Sequence, residues 1–208
     1  MRQSHPGHLI TLEGGEGAGK TTQQRLLAAS LSAHGYTCLT TREPGGTEVG
    51  QALRHLLLEA FPAGLSPRTE LFLFAADRAE HVETMIRPAL QRGSIVICDR
   101  FTDSTLVYQG MGRGIEPELI RQINQMATQG LQPDLTLWLN LPPEIGLARV
   151  QERRRTLDQM EQQDLHFHDR LHQGFAQLAA AEPRRIREVN ALRPIEMIAA
   201  EIENIVIR

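Results

Sequence analysis

One segment constrains the fold of this chain more than any other: residues 14–21, Gly-Gly-Glu-Gly-Ala-Gly-Lys-Thr. It follows a short apolar run at residues 9–12 and opens a helical pattern that extends from about Lys20 to His34. Glycines allow positive φ and let backbone N–H groups approach phosphate oxygens, while a helix N-terminus adds partial positive charge. Strand, glycine-rich loop and helix in this order predict a phosphate-binding P-loop rather than a turn that binds nothing.

The loop predicts an ATP site in which two side chains have separate tasks. Lys20 brings a mobile charge to the transferring phosphates, and the hydroxyl of Thr21 can ligate Mg²⁺. Lys20 is also the only lysine among 22 basic residues, so its place in the loop is hard to attribute to chance. The predicted ATP-binding residues are Gly14, Gly15, Glu16, Gly17, Ala18, Gly19, Lys20 and Thr21.

Composition excludes several classes of protein. The 208 residues fit a single domain spanning the whole chain, and the net charge of −3 gives no basic field that would recruit nucleic acid. No apolar run is long enough for a membrane span, and the polar start lacks the apolar core of a signal peptide, so we expect a cytoplasmic protein. Cys38 and Cys98 lie in short apolar runs and are expected to be reduced core residues.

Strands alternate with helices along the chain, which predicts an α/β fold with a five-stranded parallel sheet and helices on both faces. Thr47 and Ser66-Pro67 are predicted to start helices, and Pro88 is predicted to bend the second of them. Residues 101–114 are expected to form a loop with a short helix, and residues 160–181 one long helix. The predicted strands are residues 9–12, 36–41, 94–98, 135–141 and 186–189.

A P-loop alone does not separate a switch, a motor and a kinase, but the surrounding residues do. A guanine-reading Asn-Lys-x-Asp segment and the extra loop lysine of partitioning ATPases both need a second lysine, which this chain lacks. Asp99 is followed by Arg100, whereas hydrolytic motors usually place a water-activating glutamate there. Arginine suits a second phosphate, so the acceptor is predicted to be a phosphate. Two alternative hypotheses stay open: a regulatory protein that binds ATP, and a kinase whose acceptor is dUMP or a small hydroxyl-bearing metabolite.

Two pairs of residues four apart suit a nucleobase. Phe74 and Arg78 share one helix face and combine an aromatic plane with a guanidinium, while Thr105 and Gln109 share another beside Tyr108. The alternative makes Phe74 a core residue and the others helix surface, and spacing alone does not decide between the two. His168 and His172 are also four apart and could bind a metal, but a solvated helix face is the favoured interpretation.

Six segments together resemble the motifs of bacterial thymidylate kinases. That resemblance implies the nucleoside monophosphate kinase fold with a lid, a homodimer, and transfer of the γ-phosphoryl group of ATP to dTMP with Mg²⁺. A P-loop kinase of another nucleoside monophosphate is kept as the alternative. The segments are residues 41–47, 74–78, 99–101, 108–110, 112–114 and 133–137.

The resemblance also assigns roles to individual residues. Phe74 is implied to stack on thymine, Arg78 to donate to its O4, and Thr105 and Gln109 to read its N3 edge. Tyr108 is implied to pack against the sugar, and Arg54 and Arg100 to hold the acceptor phosphate. Thr21, Asp99 and Glu43 are the implied metal residues, partly through water. The implied dTMP-binding residues are Glu43, Arg54, Phe74, Arg78, Arg100, Thr105, Tyr108 and Gln109.

Glu16 carries an implication for the lid. Family members with an acid at this loop position supply a catalytic arginine from the lid, here about residues 149–162. The lid departs from the usual family pattern, because its glycine is missing and Gln159 stands where arginine is common. We favour Arg153 as the main lid arginine, with Arg149, Arg154 and Arg155 left as alternatives. The predicted catalytic set is Lys20, Asp99, Arg100 and Arg153.

Overall fold

The computed structural model describes residues 7–61, 63–153 and 158–207; for Arg153 the description covers the backbone alone. Within these ranges, one sheet has five strands, all parallel, in the order β2-β3-β1-β4-β5. The predicted α/β fold with a five-stranded parallel sheet is thus confirmed. The strands are β1 His8–Glu13, β2 Cys38–Arg42, β3 Ile95–Asp99, β4 Leu135–Asn140 and β5 Ile186–Asn190.

The helices lie on both faces of this sheet, and caps predicted from the sequence start two of them. Thr47 accepts a hydrogen bond from the amide of Gly50, and Ser66 accepts one from the amide of Thr69. The helices are α1 Lys20–Ala33, α2 Glu48–Leu58, α3 Pro67–His81, α4 Arg87–Gln91, α5 Thr102–Thr105, α6 Pro117–Thr128, α7 Pro143–Arg153, α8 Leu165–Ala181 and α9 Ile195–Ile207.

Two segments depart from the expected helix pattern because of π-helical turns. Val82–Ile86 is π-helical between α3 and α4. Pro88 lacks the N–H that would bond to the carbonyl of residue 84, and its ring would meet that carbonyl, so a widened turn relieves the conflict. The expected loop after α5 is also largely a π-helix, Leu106–Gly112. The long helix expected from residue 160 begins only at Leu165, where Asp164 accepts a hydrogen bond from the amide of Phe167.

Alternate residues of the central strands enter opposite layers of the core. Ile10 and Leu12 pack with Leu27 and Ile198, which belong to the layer beneath α1 and α9. Leu9 packs in a separate cluster on the other face, beneath α4 and its preceding π-turn. Because β1 lies between β3 and β4, the loop that follows Glu13 emerges at the centre of the carboxyl edge, where ligands of open α/β sheets bind.

Both cysteines are free, as expected; Cys98 is buried in β3 and Cys38 is half-buried. No helix in the described ranges is long and apolar enough to cross a membrane.

The P-loop lies directly against the first turn of α7. A side chain on Gly146 would collide with the carbonyl oxygen of Glu16, and one on Gly17 would collide with the backbone of Gly146. Gly17 also has φ of 69°, a conformation that glycine adopts without steric cost. Glycine at both positions therefore lets α7 support the loop by backbone contact.

We predict that Gly146→Ala destabilises the chain by about 1–3 kcal/mol, as overpacking does, although alanine is the better helix former. Urea unfolding measures the free energy. Ile145→Ala is the matched control, because that exposed side chain lies in the same turn and its loss should change stability by less than about 1 kcal/mol. Equal stability of Gly146→Ala and the parent chain would contradict the close contact.

Candidate active site

A cleft opens at the carboxyl edge of the sheet and contains most of the residues that the sequence indicated. It is bounded by the P-loop, the start of α1, α3, and the segment from Asp99 to Gln109. Gly14 and Gly15 are the two predicted loop residues that do not line the cleft; their carbonyl oxygens accept hydrogen bonds from Lys20. The predicted residues that line it are Glu16, Gly17, Ala18, Gly19, Lys20, Thr21, Glu43, Arg54, Phe74, Arg78, Asp99, Arg100, Thr105, Tyr108 and Gln109.

The P-loop holds its lysine against its own backbone. Lys20 Nζ donates to the carbonyl oxygens of Gly14 at 3.0 Å and Gly15 at 2.8 Å. Burial, together with the nearby Arg100, lowers the pKa of this ammonium, while Glu16, Asp99 and other carboxylates oppose the shift. The charge predicted to meet phosphates is therefore already positioned in the loop.

A hydroxyl and a carboxylate lie side by side next to the loop. Thr21 Oγ1 donates to Asp99 Oδ2 at 2.7 Å, across the join between α1 and the end of β3. Both are hard oxygen donors of the kind that Mg²⁺ prefers, and Mg²⁺ usually takes only one or two protein ligands and completes its shell with water and phosphate. The predicted pair Thr21 and Asp99 therefore fits a magnesium ion.

Glu16 and Arg100 form an ion pair in the cleft, with 2.6 Å between Oε1 and Nη2. Arg100 Nη2 donates to Glu16 Oε1 at 2.6 Å, its Nη1 donates to the carbonyl of Gly14 at 3.1 Å, and its guanidinium lies 4.9 Å from the ring centroid of Tyr108. The Tyr108 hydroxyl donates to the same Glu16 oxygen at 2.9 Å. Burial opposes ionisation of Glu16, but Arg100, Lys20 and Tyr108 outweigh it and lower the pKa of the carboxyl to about 2.

Arg100 reaches the loop from a left-handed backbone, with φ of 71°. The fully buried carboxyl group of Glu13 stabilises the residues that follow it. Glu13 Oε1 accepts from the amides of Phe101 at 2.8 Å and Ser104 at 3.3 Å, and its Oε2 accepts from the Ser104 hydroxyl at 2.5 Å. Glu13 was not predicted as a site residue, although its position at the end of a buried strand, immediately before the glycine loop, indicates that its carboxyl group lies near the site.

Arg78 is held by three different partners. Its Nε donates to Glu43 Oε2 at 2.8 Å, its Nη1 to Asn124 Oδ1 at 2.6 Å, and its Nη2 to the carbonyl of Phe101 at 3.1 Å. The other Glu43 oxygen bonds to Nδ1 of the buried His81 at 2.9 Å. The side chain is only 1% exposed yet lines the cleft, so its guanidinium is presented in one fixed orientation. Asn124 and His81 were not singled out from the sequence.

The other proposed base-reading residues surround the same part of the cleft. Phe74 lies one turn before Arg78 on α3, as the spacing required, and is partly buried against the core cluster that contains Leu57 and Leu58 of α2. Gln109 is buried, and its Nε2 donates to Glu70 Oε1 at 2.8 Å. Thr105 is also buried at the cleft. Arg54 reaches the rim, where its Nη1 donates to the carbonyl of Pro44 at 3.2 Å.

Both ends of the predicted lid contact the cleft. Arg149 Nη1 donates to the carbonyl of Gly17 at 3.4 Å, and Val150, Met160 and Glu161 line the cavity. The backbone N–H of Gln159 donates to the carbonyl of Leu58 at 3.4 Å. The favoured catalytic arginine, Arg153, has its side chain outside the described residues, as do the alternatives Arg154 and Arg155.

The expectation of a solvated face for the α8 histidines is wrong for His168. It is only 4% exposed and packs edge-on to Phe167, and burial lowers its pKa. His172 is half-buried and bonds through Nε2 to Asn140 at 2.7 Å. No group of three metal-ligating side chains occurs in the part of the chain that the structure describes.

Comparison with known proteins decides the family. The family model described as thymidylate kinase matches residues 12–202. The thymidylate kinase of Synechococcus sp. strain JA-3-3Ab is 60% identical over 198 residues, which cover 95% of this chain and 94% of that protein. The chain belongs to the thymidylate kinase family. The family and the enzyme class predicted from the sequence are therefore confirmed.

Further relatives place the whole chain within this family of kinases. The thymidylate kinase of Synechococcus sp. strain JA-2-3B'a(2-13) is 59% identical over 197 residues, covering 95% of this chain and 93% of its own. A crystal structure of the thymidylate kinase from Ehrlichia chaffeensis superimposes with a TM-score of 0.81 at 34% identity, covering 97% of this chain and 100% of that one. The likeness extends to the fold and is not confined to the P-loop.

The buried Glu13 predicts a measurable pH dependence of stability in this thymidylate kinase family member. Burial, reinforced by the charge of Asp103, raises the pKa of Glu13 from 4.5 to about 7. Between these values the folded state binds more protons than the unfolded state, so stability falls as the pH rises from about 4.5 through 7.

Glu13→Gln removes this titration and can keep the hydrogen bonds to Phe101, and to Ser104 by donating to its hydroxyl. We therefore expect it to gain on the order of 1–3 kcal/mol relative to the parent chain between pH 5 and pH 8. Urea unfolding at several pH values is the measurement, with the exposed Glu118→Gln as control. Parallel pH profiles for Glu13→Gln and the parent chain would contradict the assignment.

Proposed function

We propose that this chain transfers the γ-phosphoryl group of ATP to dTMP, giving dTDP and ADP for dTTP synthesis. The observation that carries the proposal is one continuous cleft that runs from the P-loop to the Phe74, Arg78 and Gln109 side chains. The P-loop and the proposed base-reading side chains thereby line one and the same cavity. Membership of the thymidylate kinase family supplies the substrates.

The phosphate end of the cleft suits transfer between two phosphates. The acceptor oxygen of a phosphate monoester is anionic near neutral pH, so positioning and charge neutralisation are the main requirements. Lys20 neutralises the transferring group from within the P-loop. Arg100 lines the cleft beside the loop and Arg54 lies at its rim, and both are proposed to hold the acceptor phosphate.

Thr21 and Asp99 would hold Mg²⁺, whose chemistry is to screen the charge of the donor phosphates. Asp99 sits at the end of β3 and Thr21 at the start of α1, so the two ligands come from rigid elements. Each oxygen of Glu43 already accepts one hydrogen bond, from Arg78 or from His81. A contribution of Glu43 to the ion through a water molecule therefore suits it better than direct ligation.

The base end of the cleft suits a pyrimidine. Phe74 offers a face for stacking, the fixed guanidinium of Arg78 serves the O4 carbonyl, and Thr105 and Gln109 serve the N3 edge. Tyr108 donates to Glu16 of the P-loop and lines the same cleft, so its ring is proposed to pack against the deoxyribose. A 2′-hydroxyl would have to fit against that ring.

The lid is proposed to close over ATP and exclude water, with Arg153 as its catalytic arginine. Support comes from the ends of the segment, since Arg149 contacts the P-loop carbonyl of Gly17 and Met160 lines the cleft. Closure of this kind suppresses hydrolysis of ATP.

A homodimer and a cytoplasmic location complete the proposal. Three neighbouring helices, α2, α3 and α6, carry exposed apolar side chains that a second copy would cover. They are Val49, Leu56, Phe72, Leu119 and Met126. The cytoplasm is where ATP and nucleoside monophosphates are available together.

A coupled assay of ADP release over a panel of monophosphates tests the function. We expect turnover with dTMP and little with AMP or GMP, because the pyrimidine site is bounded by buried side chains. Lys20→Ala should remove nearly all turnover, while Arg25→Ala, an exposed change on the same helix, should retain it. Equal turnover with AMP or GMP, or ordinary activity of Lys20→Ala, would refute the proposal.

A second experiment compares single alanine variants at Arg149, Arg153, Arg154 and Arg155. One arginine that meets the transition state is worth roughly 10³-fold in kcat, so we expect one dominant loss, at Arg153, with a small change in the KM for dTMP. Arg170→Ala on α8 is the control. Four small and equal losses would contradict a single catalytic lid arginine.

A further inference from the structure

The amide of Gln109 is oriented by a buried acid that the proposed function does not use. Gln109 is 1% exposed and donates through Nε2 to Glu70 Oε1 at 2.8 Å. We propose that Glu70, through this contact, is a specificity-determining residue that makes the cleft accept thymine and uracil and reject cytosine. The inference rests on the proposed function, because it assumes that Gln109 faces the base of a pyrimidine monophosphate.

The carboxylate of Glu70 fixes which end of the amide meets it. Arg113 donates to both Glu70 oxygens, through Nε to Oε1 and through Nη2 to Oε2, each at 3.3 Å. A carboxylate paired in this way has no proton to give and can only accept. Gln109 must therefore present its NH₂ group to Glu70, since the reversed amide would place two acceptor oxygens together in a buried site.

Glu70 is itself held firmly. It lies in the first turn of α3 and is 4% exposed. Its partner Arg113 also donates through Nη1 to Gln163 Oε1 at 2.9 Å and lies 4.9 Å from the ring centroid of Phe167. The carboxylate cannot follow a rotation of the Gln109 amide without breaking these contacts, so the orientation of the amide is set before any ligand enters.

Because the NH₂ group is turned to Glu70, Oε1 is the amide's acceptor for N3 of a base in the cleft that Gln109 lines, and the second N–H of the amide is left for a base carbonyl. An oxygen acceptor at this place requires a donor on the base. Thymine and uracil carry an N3–H and satisfy it, whereas the unprotonated N3 of cytosine is an acceptor and leaves two acceptors facing each other. A site built to hydrogen-bond one partner discriminates strongly against an analogue that cannot make the bond. The 5-methyl group of thymine plays no part in this contact.

The test uses Glu70→Gln and compares kcat/KM for dTMP, dUMP and dCMP at saturating ATP. A neutral amide at position 70 can donate or accept, so Gln109 can turn and offer its NH₂ group to cytosine. We expect the dTMP-to-dCMP ratio to fall by about tenfold. The dTMP-to-dUMP ratio should stay unchanged, because both bases carry N3–H. Glu118→Gln, an exposed acid on α6, is the control and should alter neither ratio.

A merely structural role of Glu70 predicts a different result, an equal loss with all three monophosphates, and that result would overturn the proposal. An unchanged dTMP-to-dCMP ratio would do the same. If Glu70→Gln does not fold, Glu70→Asp takes its place; the shorter side chain keeps the charge beside Arg113 and withdraws from Gln109, so it must lower the same ratio.

A double-mutant comparison isolates the path through Gln109. In a Gln109→Leu background the acceptor is gone, so adding Glu70→Gln should leave the dTMP-to-dCMP ratio where it is. A further fall would show that Glu70 acts by another route and would overturn the proposal. Failure of the proposed function is a separate outcome, since it appears in the parent chain as the absence of dTMP turnover.

Discussion

The active cleft depends on one backbone constraint, the left-handed conformation of Arg100 at the end of β3. Because the chain reverses there, Asp99 faces the hydroxyl of Thr21 while its neighbour Arg100 returns to Glu16 and Gly14 of the P-loop. A non-glycine residue in this region costs about 1–3 kcal/mol and persists only where its surroundings over-determine it. The carboxyl of Glu13 provides part of that surrounding, by accepting the amides that follow the reversal.

Three arginines in or beside the cleft are each paired with an acid. Arg100 pairs with Glu16, Arg78 with Glu43, and Arg113 behind the base site with Glu70. An arginine buried without a partner would be strongly destabilising. The paired acids compensate the charge of each guanidinium group, so that it can lie at the proposed nucleotide site. They also fix the donor directions in advance, and preorganised charge of this kind needs no reorganisation during the reaction.

Sequence reasoning was strongest where a short pattern determines the structure locally. The P-loop flanks, the caps at Thr47 and Ser66, and the buried strand before Asp99 are such patterns, and the sheet follows from their alternation. The resemblance added the proposed base-reading residues, and these line one cleft. The residues that support the site were missed because Glu13, Glu70 and His81 contact side chains or amides that are far away in sequence. Glu70 and Gln109, for example, are 39 residues apart. The π-turn at Val82–Ile86 was missed because it arises from the steric conflict at Pro88.

The proposed lid departs from the family pattern, whereas the proposed base site matches it. The buried contacts of Arg78 explain why the base site tolerates less change. Each nitrogen of the Arg78 guanidinium has its own buried acceptor, on Glu43, Asn124 or Phe101. A replacement or a shift by one position would leave those acceptors unpaired, which is costly in a buried site. A lid arginine, as proposed, needs only to bring its charge to a phosphate, and residues 149–162 offer four arginines from which that charge could come. Gln159 is compatible with this division, because its amide donates to the carbonyl of Phe61 at 3.0 Å and so holds one end of the proposed lid without carrying a charge.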